Sequence, residues 1–209
     1  MPFTRSPKVL KGALVRVDDD RAPAQVFAFQ YNPETLLRKI EERGGGAGEM
    51  RSSRLRRTPQ ENITCSLMLD ATEALERPEE NPEVLENGIA PMLAALELLM
   101  YERESRSARW WEFWRLGASS GPGPLALFIW GAKRAIPVRL VGLDIAELQH
   151  DPELRPIRAT VTVTMRVVAE EDLPSGHHGI RLWRQHLDTL EALATEGYSS
   201  TPPVEIREP

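Results

Sequence analysis

Ile157-Arg158-Ala159-Thr160-Val161-Thr162-Val163-Thr164-Met165-Arg166-Val167-Val168 is the stretch that decides the fold. Ile157, Ala159, Val161, Val163, Met165 and Val167 alternate with Arg158, Thr160, Thr162, Thr164 and Arg166. A period of two puts each set on its own face of an extended strand, one apolar and one polar. Upstream, Ile136 to Leu148 reads as a second long strand, with His150-Asp151-Pro152-Glu153 as the turn. Together they predict a long antiparallel hairpin with one buried face. A wet channel or an outer surface would each account for the polar face.

Further strands lie towards the N-terminus. Leu125 to Gly131 is a continuous apolar run, expected as a fully buried strand. Glu61 to Asp70 alternates, with Ile63, Cys65, Leu67 and Leu69 on one face and Thr64, Ser66 and Met68 on the other. That makes Cys65 a small buried hydrophobe rather than a nucleophile, with no basic or histidine neighbour close in sequence to activate it. Lys8 to Val17 predicts a first strand, Asp18 to Pro23 a polar turn, and Val26 to Tyr31 the return strand of a hairpin. Phe27, Phe29 and Tyr31 share one side of it. Asn32-Pro33 stops this strand, because proline offers no N–H and keeps the preceding residue extended. Asn32 as N-cap, Pro33 as first helical residue and Glu34 beside them predict a single helical turn or tight corner. Leu36 to Glu42 continues as a short charged strand.

Ile89 to Tyr101 is the clearest helix, with Pro91 near its start and Ile89, Met92, Leu93, Leu96, Leu99 and Met100 on one face. A final helix over 176–195 is capped by Ser175 and carries Ile180, Trp183, Leu187, Leu190 and Leu193 as its stripe. The glutamates at 73, 76, 79, 80, 83 and 86 read as a solvated linker, which could also face the arginine loop of a neighbouring copy. That loop, 43–60, follows Gly44 to Gly48 with Arg51, Arg54, Arg56 and Arg57. Three readings stay open for it: a solvated loop, an interface that orders on assembly, or a nucleic-acid arm. Trp110, Trp111, Phe113 and Trp114 crowd a second insertion at 103–124. They pack on their own domain, dock another subunit, or rest on a membrane surface. The expected organisation is a β domain over 1–170 and a C-terminal helix with a polar tail over 171–209.

A chain of 209 residues, 41% hydrophobic and 27% charged, can bury a core without staples. A net charge of −5 argues against a general nucleic-acid binder. The single cysteine excludes an internal disulfide. Met1 to Lys11 lacks a signal-peptide core, and no run of 18 apolar residues exists. Synthesis in the cytoplasm without a signal peptide is expected, with any export by another route, and no membrane insertion. No catalytic set emerges. There is no His-Glu-x-x-His, no Gly-x-Ser-x-Gly and no phosphate loop. His177, His178 and His186 lack a second ligand set at metal-site spacing and read as structural or surface residues. No cofactor, metal or catalytic residue is expected, and the chain reads as a maker of surfaces rather than an enzyme.

Four stretches resemble, in order, the signatures of one family. Phe29-Gln30-Tyr31-Asn32-Pro33-Glu34-Thr35-Leu36 is similar to "F-Q-[FY]-N-P-x-[ST]-L". Thr64 to Asp70 is similar to "L-x-F-x-L-x-F-D", Pro124 to Gly131 to "P-P-x-[LV]-x-F-x-W-G", and Pro156 to Met165 to "P-x-R-A-x-V-x-[VL]-T-[LF]". The family is that of contractile injection system tube and baseplate proteins, found in phage-tail-like particles and often followed by a LysM module. The resemblance covers about residues 8–168; no LysM-like module follows here, and the aromatic-rich insertion has no counterpart in the signatures. It implies an α+β, mainly antiparallel fold: a tail-tube-like β-sandwich or barrel with one main packed helix and a C-terminal helix. It implies a structural role in a homohexameric ring where the inner tube meets the spike hub and baseplate, as tube initiator or adaptor. Partners are then other copies of the chain, the inner tube protein and hub and baseplate proteins, with no nucleic acid. The alternative is a nucleic-acid-binding or other effector, or an assembly factor, associated with such a particle. Phe29, Gln30, Asn32 and Pro33 are expected to fix a structural corner. Arg51, Arg54, Arg56, Arg57, Trp110, Trp111, Trp114 and Trp183 are the candidate subunit contacts.

Overall fold

The computed structural model describes residues 10–17, 25–43, 58–101 and 124–197. Seven strands make one sheet: β1 (Ala13–Arg16), β2 (Val26–Ala28), β3 (Leu36–Glu41), β4 (Gln60–Asp70), β5 (Ala126–Ile129), β6 (Ala135–His150) and β7 (Pro156–Val167). Their order is β2-β1-β5-β6-β7-β4-β3, and every pairing is antiparallel. Helices α1 (Thr72–Leu75), α2 (Pro82–Asn87), α3 (Ala90–Glu97) and α4 (His178–Gly197) accompany it, with a 3-10 turn at Glu170–Asp172. The mainly antiparallel α+β class that the resemblance implied is the observed one.

β7 organises the sheet because its alternation is matched on both sides. Val161 stands opposite Leu67 of β4 and Ile145 of β6, and Val163 opposite Cys65 and Leu143. Paired residues share a face, so three strands lay their apolar side chains into one layer. Ala159, Val161, Val163 and Met165 are fully buried there. Leu93 and Leu96 of α3, flanked by Ile89 and Leu99, join the same core, as does Trp183 of α4. Each large side chain so removed from water contributes roughly 1.5–3 kcal/mol. The opposite face carries Thr64, Ser66, Thr160, Thr162 and Thr164.

Several expectations need correction. Of the strands predicted at 8–17 and 26–31, the described residues pair in register over Ala13–Val15 and Val26–Ala28. Of the helical turn or tight corner expected at Asn32-Pro33, the corner is what forms: the segment bends and enters β3. The acidic segment is not a plain linker: α1 and α2 form within it, α2 starting at Pro82 behind Asn81. Proline at the first helical position outweighed the charge pattern. The helix predicted at 89–101 ends at Glu97, and three turn residues follow. Ser175 does not cap α4, which begins at His178, beyond Gly176 at φ 81°. The run at 125–131 is a four-residue strand with alternating rather than complete burial.

The β6–β7 hairpin outruns its neighbour. β5 covers only Ala135–Val138 of β6. From residue 139 to residue 150, no strand among the described residues pairs with the other edge of β6. At the tip, the Asp151 carboxylate accepts the backbone N–H groups of Glu153 and Arg155 and pairs with the Arg155 guanidinium. That holds Leu154 at φ 64°.

Candidate functional site

The segment after β2 works through its side-chain amides. Gln30 donates from Nε2 to the carbonyl of Asp70 at 2.6 Å and accepts from the N–H of Asp70 at 2.8 Å. Asn32 accepts the N–H of Gly12 at 2.8 Å and donates to the carbonyl of Leu10 at 2.8 Å. A carboxamide carries the same donor and acceptor as a peptide group. Each therefore acts as one extra rung, Asn32 beside the lead-in to β1 and Gln30 beside the end of β4. β1 and β4 lie near opposite ends of the strand order, so this short segment ties the two together. Phe29, between them in the core, is 1% exposed and packs beside Phe27, Phe128 and Trp130 at centroid distances of 6.3–6.5 Å. Its ring lies so close to the backbone at residue 12 that a Cβ there would sit 2.7 Å from it; glycine is required. Pro33 continues the bend. At this bend Gln30 and Asn32 act through amide rungs and Phe29 through burial, not through a helix cap.

The corner overhangs the polar side of the sheet. Tyr31 to Thr35 wall a groove of about 680 Å³ whose floor includes Thr64, Ser66, Met68, Thr160 and Thr162. Hydroxyls line it, and no charged side chain lies on that floor.

The ends of the arginine-bearing loop meet at the 3-10 turn. Arg43 forks onto Asp172, Nη1 to Oδ1 at 2.8 Å and Nη2 to Oδ2 at 2.9 Å. Thr58 donates its N–H and its hydroxyl to the Glu171 carboxylate at 3.1 and 2.8 Å. Burial pushes the Asp172 carboxyl up, but the Arg43 fork and the Ala169 N–H outweigh it and hold it below the usual range. A depressed folded-state value contributes stability above the unfolded aspartate range, and that stability is lost as pH falls through the folded value. Asp172→Asn is expected to cost roughly 1–3 kcal/mol at pH 7 and to flatten the acid limb of stability. Urea midpoints at neutral and acid pH check this; unchanged pH dependence in the variant would refute it. Sequence reasoning missed Arg43, Thr58, Glu171 and Asp172, whose two pairings join residues 129 and 113 apart and leave no local signal.

Arg51, Arg54, Arg56, Arg57, Trp110, Trp111 and Trp114 lie outside the described residues. Trp183 is 8% exposed, within the chain's own core and beside His186. His186, read from sequence as structural or surface, is buried. His177 and His178 stack on one another with centroids 4.4 Å apart. Burial raises the Cys65 thiol to about 11, so it is a core residue and no thiolate. Among the described residues no cluster of three His, Cys, Asp or Glu could hold a metal ion, and no helix is long and apolar enough to cross a membrane.

Fold and site together define an antiparallel α+β protein whose distinctive features are edges, a polar sheet face and a braced corner. No family model matches the chain, and no curated protein matches it.

Proposed function

We propose that this chain is a structural subunit of a contractile, phage-tail-like injection particle, forming a sixfold ring where the inner tube meets the spike hub and baseplate. The observation that carries the reading is the four-strand block β6-β7-β4-β3. One side of it ends at the edge strand β3 and the other at the uncovered length of β6. Four is an even number, so copies placed side by side by rotation set β3 of one antiparallel to β6 of the next. Such a head-to-tail contact closes into a ring when the rotation closes, and closure removes exposed edges. The charges favour it modestly: β3 carries Arg38, Lys39 and Glu41, two cations to one anion, whereas the uncovered part of β6 carries Arg139, Asp144 and Glu147, one cation to two anions. The repeated polar faces, rich in threonine, then make the wall of a tube-like barrel with a wet lumen. The resemblance of residues 29–36, 64–70, 124–131 and 156–165 to the tube and baseplate family supports the same reading.

Assembly tests it. Native mass spectrometry and electron microscopy, alone and with tube and hub proteins, are expected to give hexameric rings or incorporation on the tube axis. Lys39→Glu on one edge, or Asp144→Lys with Glu147→Lys on the other, is expected to weaken assembly severalfold, and the combination to restore part of it. An exposed pair is worth roughly 0.2–1 kcal/mol, but a ring repeats it at every junction. Particles that carry this protein away from the tube–baseplate axis would overturn the reading.

A further inference from the structure

A second feature lies at the seam between α4 and the sheet. A cleft of about 230 Å³ opens between α4 and the β5–β6 turn. Trp130, Ile136, Leu190 and Leu193 give it apolar walls. Leu190 and Leu193 stay 40% and 38% exposed, so the helix stripe is incompletely covered. The cleft also carries cations. Arg38 is held by Glu61 at 2.6 Å, and Lys133 reaches Glu196 at 3.4 Å in a pair open to solvent. Arg134 has no ion-pair partner among the described residues and is only half-exposed. His186 also lines the cleft, is 5% exposed, and its Nε2 has no hydrogen-bond partner among those residues. Burial pushes its pKa down, so the neutral ring can present Nε2–H as a donor.

We infer that this cleft binds a carboxylate carried on an aliphatic body, as in an acidic residue beside Val, Ile or Leu of an extended peptide. Arg134 receives the carboxylate, since it is the cleft cation without an ion-pair partner among the described residues, and a guanidinium forks onto two oxygens. His186 Nε2, buried and without a hydrogen-bond partner among the described residues, is the second candidate donor to it. The aliphatic part covers Leu190, Leu193 and Ile136. The volume is below the roughly 300–1,000 Å³ of most small-molecule sites; it fits a side chain and its neighbour rather than a cofactor. The inference does not rest on the ring reading.

Isothermal titration of the full chain tests it with two probe peptides, acetyl-Ala-Val-Glu-Ile-Ala-amide and the same peptide with Gln for Glu, and with octanoate. The Glu peptide is expected to bind about tenfold tighter than the Gln peptide, the scale of one charge-assisted contact. Arg134→Gln, with an unchanged circular dichroism spectrum, is expected to abolish that preference. The Glu peptide is expected to bind more tightly than octanoate; tighter binding of octanoate would overturn the assignment to a protein segment. No binding of any probe at millimolar concentration, or equal binding of the Glu and Gln peptides by the unaltered protein, would overturn it.

Discussion

Phe29→Ala is expected to cost about 3–5 kcal/mol and to lower Tm by roughly 6–20 °C. The ring is 1% exposed and stands among Phe27, Phe128 and Trp130. Truncation forfeits its transfer free energy and leaves a cavity. Collapse is restricted, because Phe29 is flanked on one side by the Gln30 and Asn32 rungs and on the other by β2, and its own N–H is bonded to Gly12 at 2.9 Å. Urea unfolding measures the loss directly. A loss below about 1.5 kcal/mol would show that the aromatic cluster repacks, and the corner would then not depend on the ring.

Gly88→Val is expected to be comparably severe, roughly 3 kcal/mol or more. Gly88 ends α2 at φ 58° and ψ −133°, a backbone region that side chains rarely enter. A Cβ there would lie 2.1 Å from the carbonyl oxygen of Pro156, the first residue of β7. That same oxygen accepts the N–H of Ile89 at 2.9 Å, which joins the start of α3 to the sheet. Relief of the clash therefore breaks the bond that seats α3 on the core. Gly88→Ala already brings both the strained backbone and the Cβ clash, so most of the loss is expected with the smallest side chain. Stability of Gly88→Val within about 1 kcal/mol of the parent would contradict this.

The parts of the fold that were legible share one physical trait. Where burial alternates along a strand, as from Ile63 to Leu69 and from Ala159 to Val167, the period of two appears in the residues themselves. The hairpin of β6 and β7 and the strand β4 followed from it. The pairing of β4 with β7 did not, because alternation defines faces and not neighbours. Asn32 shows another limit. Its propensity to cap a helix is genuine, but a nearby strand end at residues 10–12 offered it a donor and an acceptor at once, and tertiary pairing prevailed. The glutamates between 73 and 86 obscured two short helices, for which Asn81-Pro82 and Gly88 were the better signals. Trp183 stood among the candidate subunit contacts because a single helical stripe cannot say which of its residues face the core. In the described part of the site, the importance of Gln30 and Asn32 was visible, and their mode of action was not. The Arg43–Asp172 brace was invisible, since it links distant stretches through side chains that each look like ordinary surface charges.

The Asn32 rung has a chemical consequence over time. Asparagine ages chiefly when the backbone nitrogen of the following residue attacks its side-chain carbonyl, closing a five-membered imide and releasing ammonia. That nitrogen belongs here to Pro33, which has no proton to lose. The proline that turns the chain out of the corner also closes this route to aspartate. The N–H donor facing the Leu10 carbonyl is thereby kept from being replaced by a carboxylate that would repel it. An amide used as a backbone rung keeps the chemical durability of a backbone.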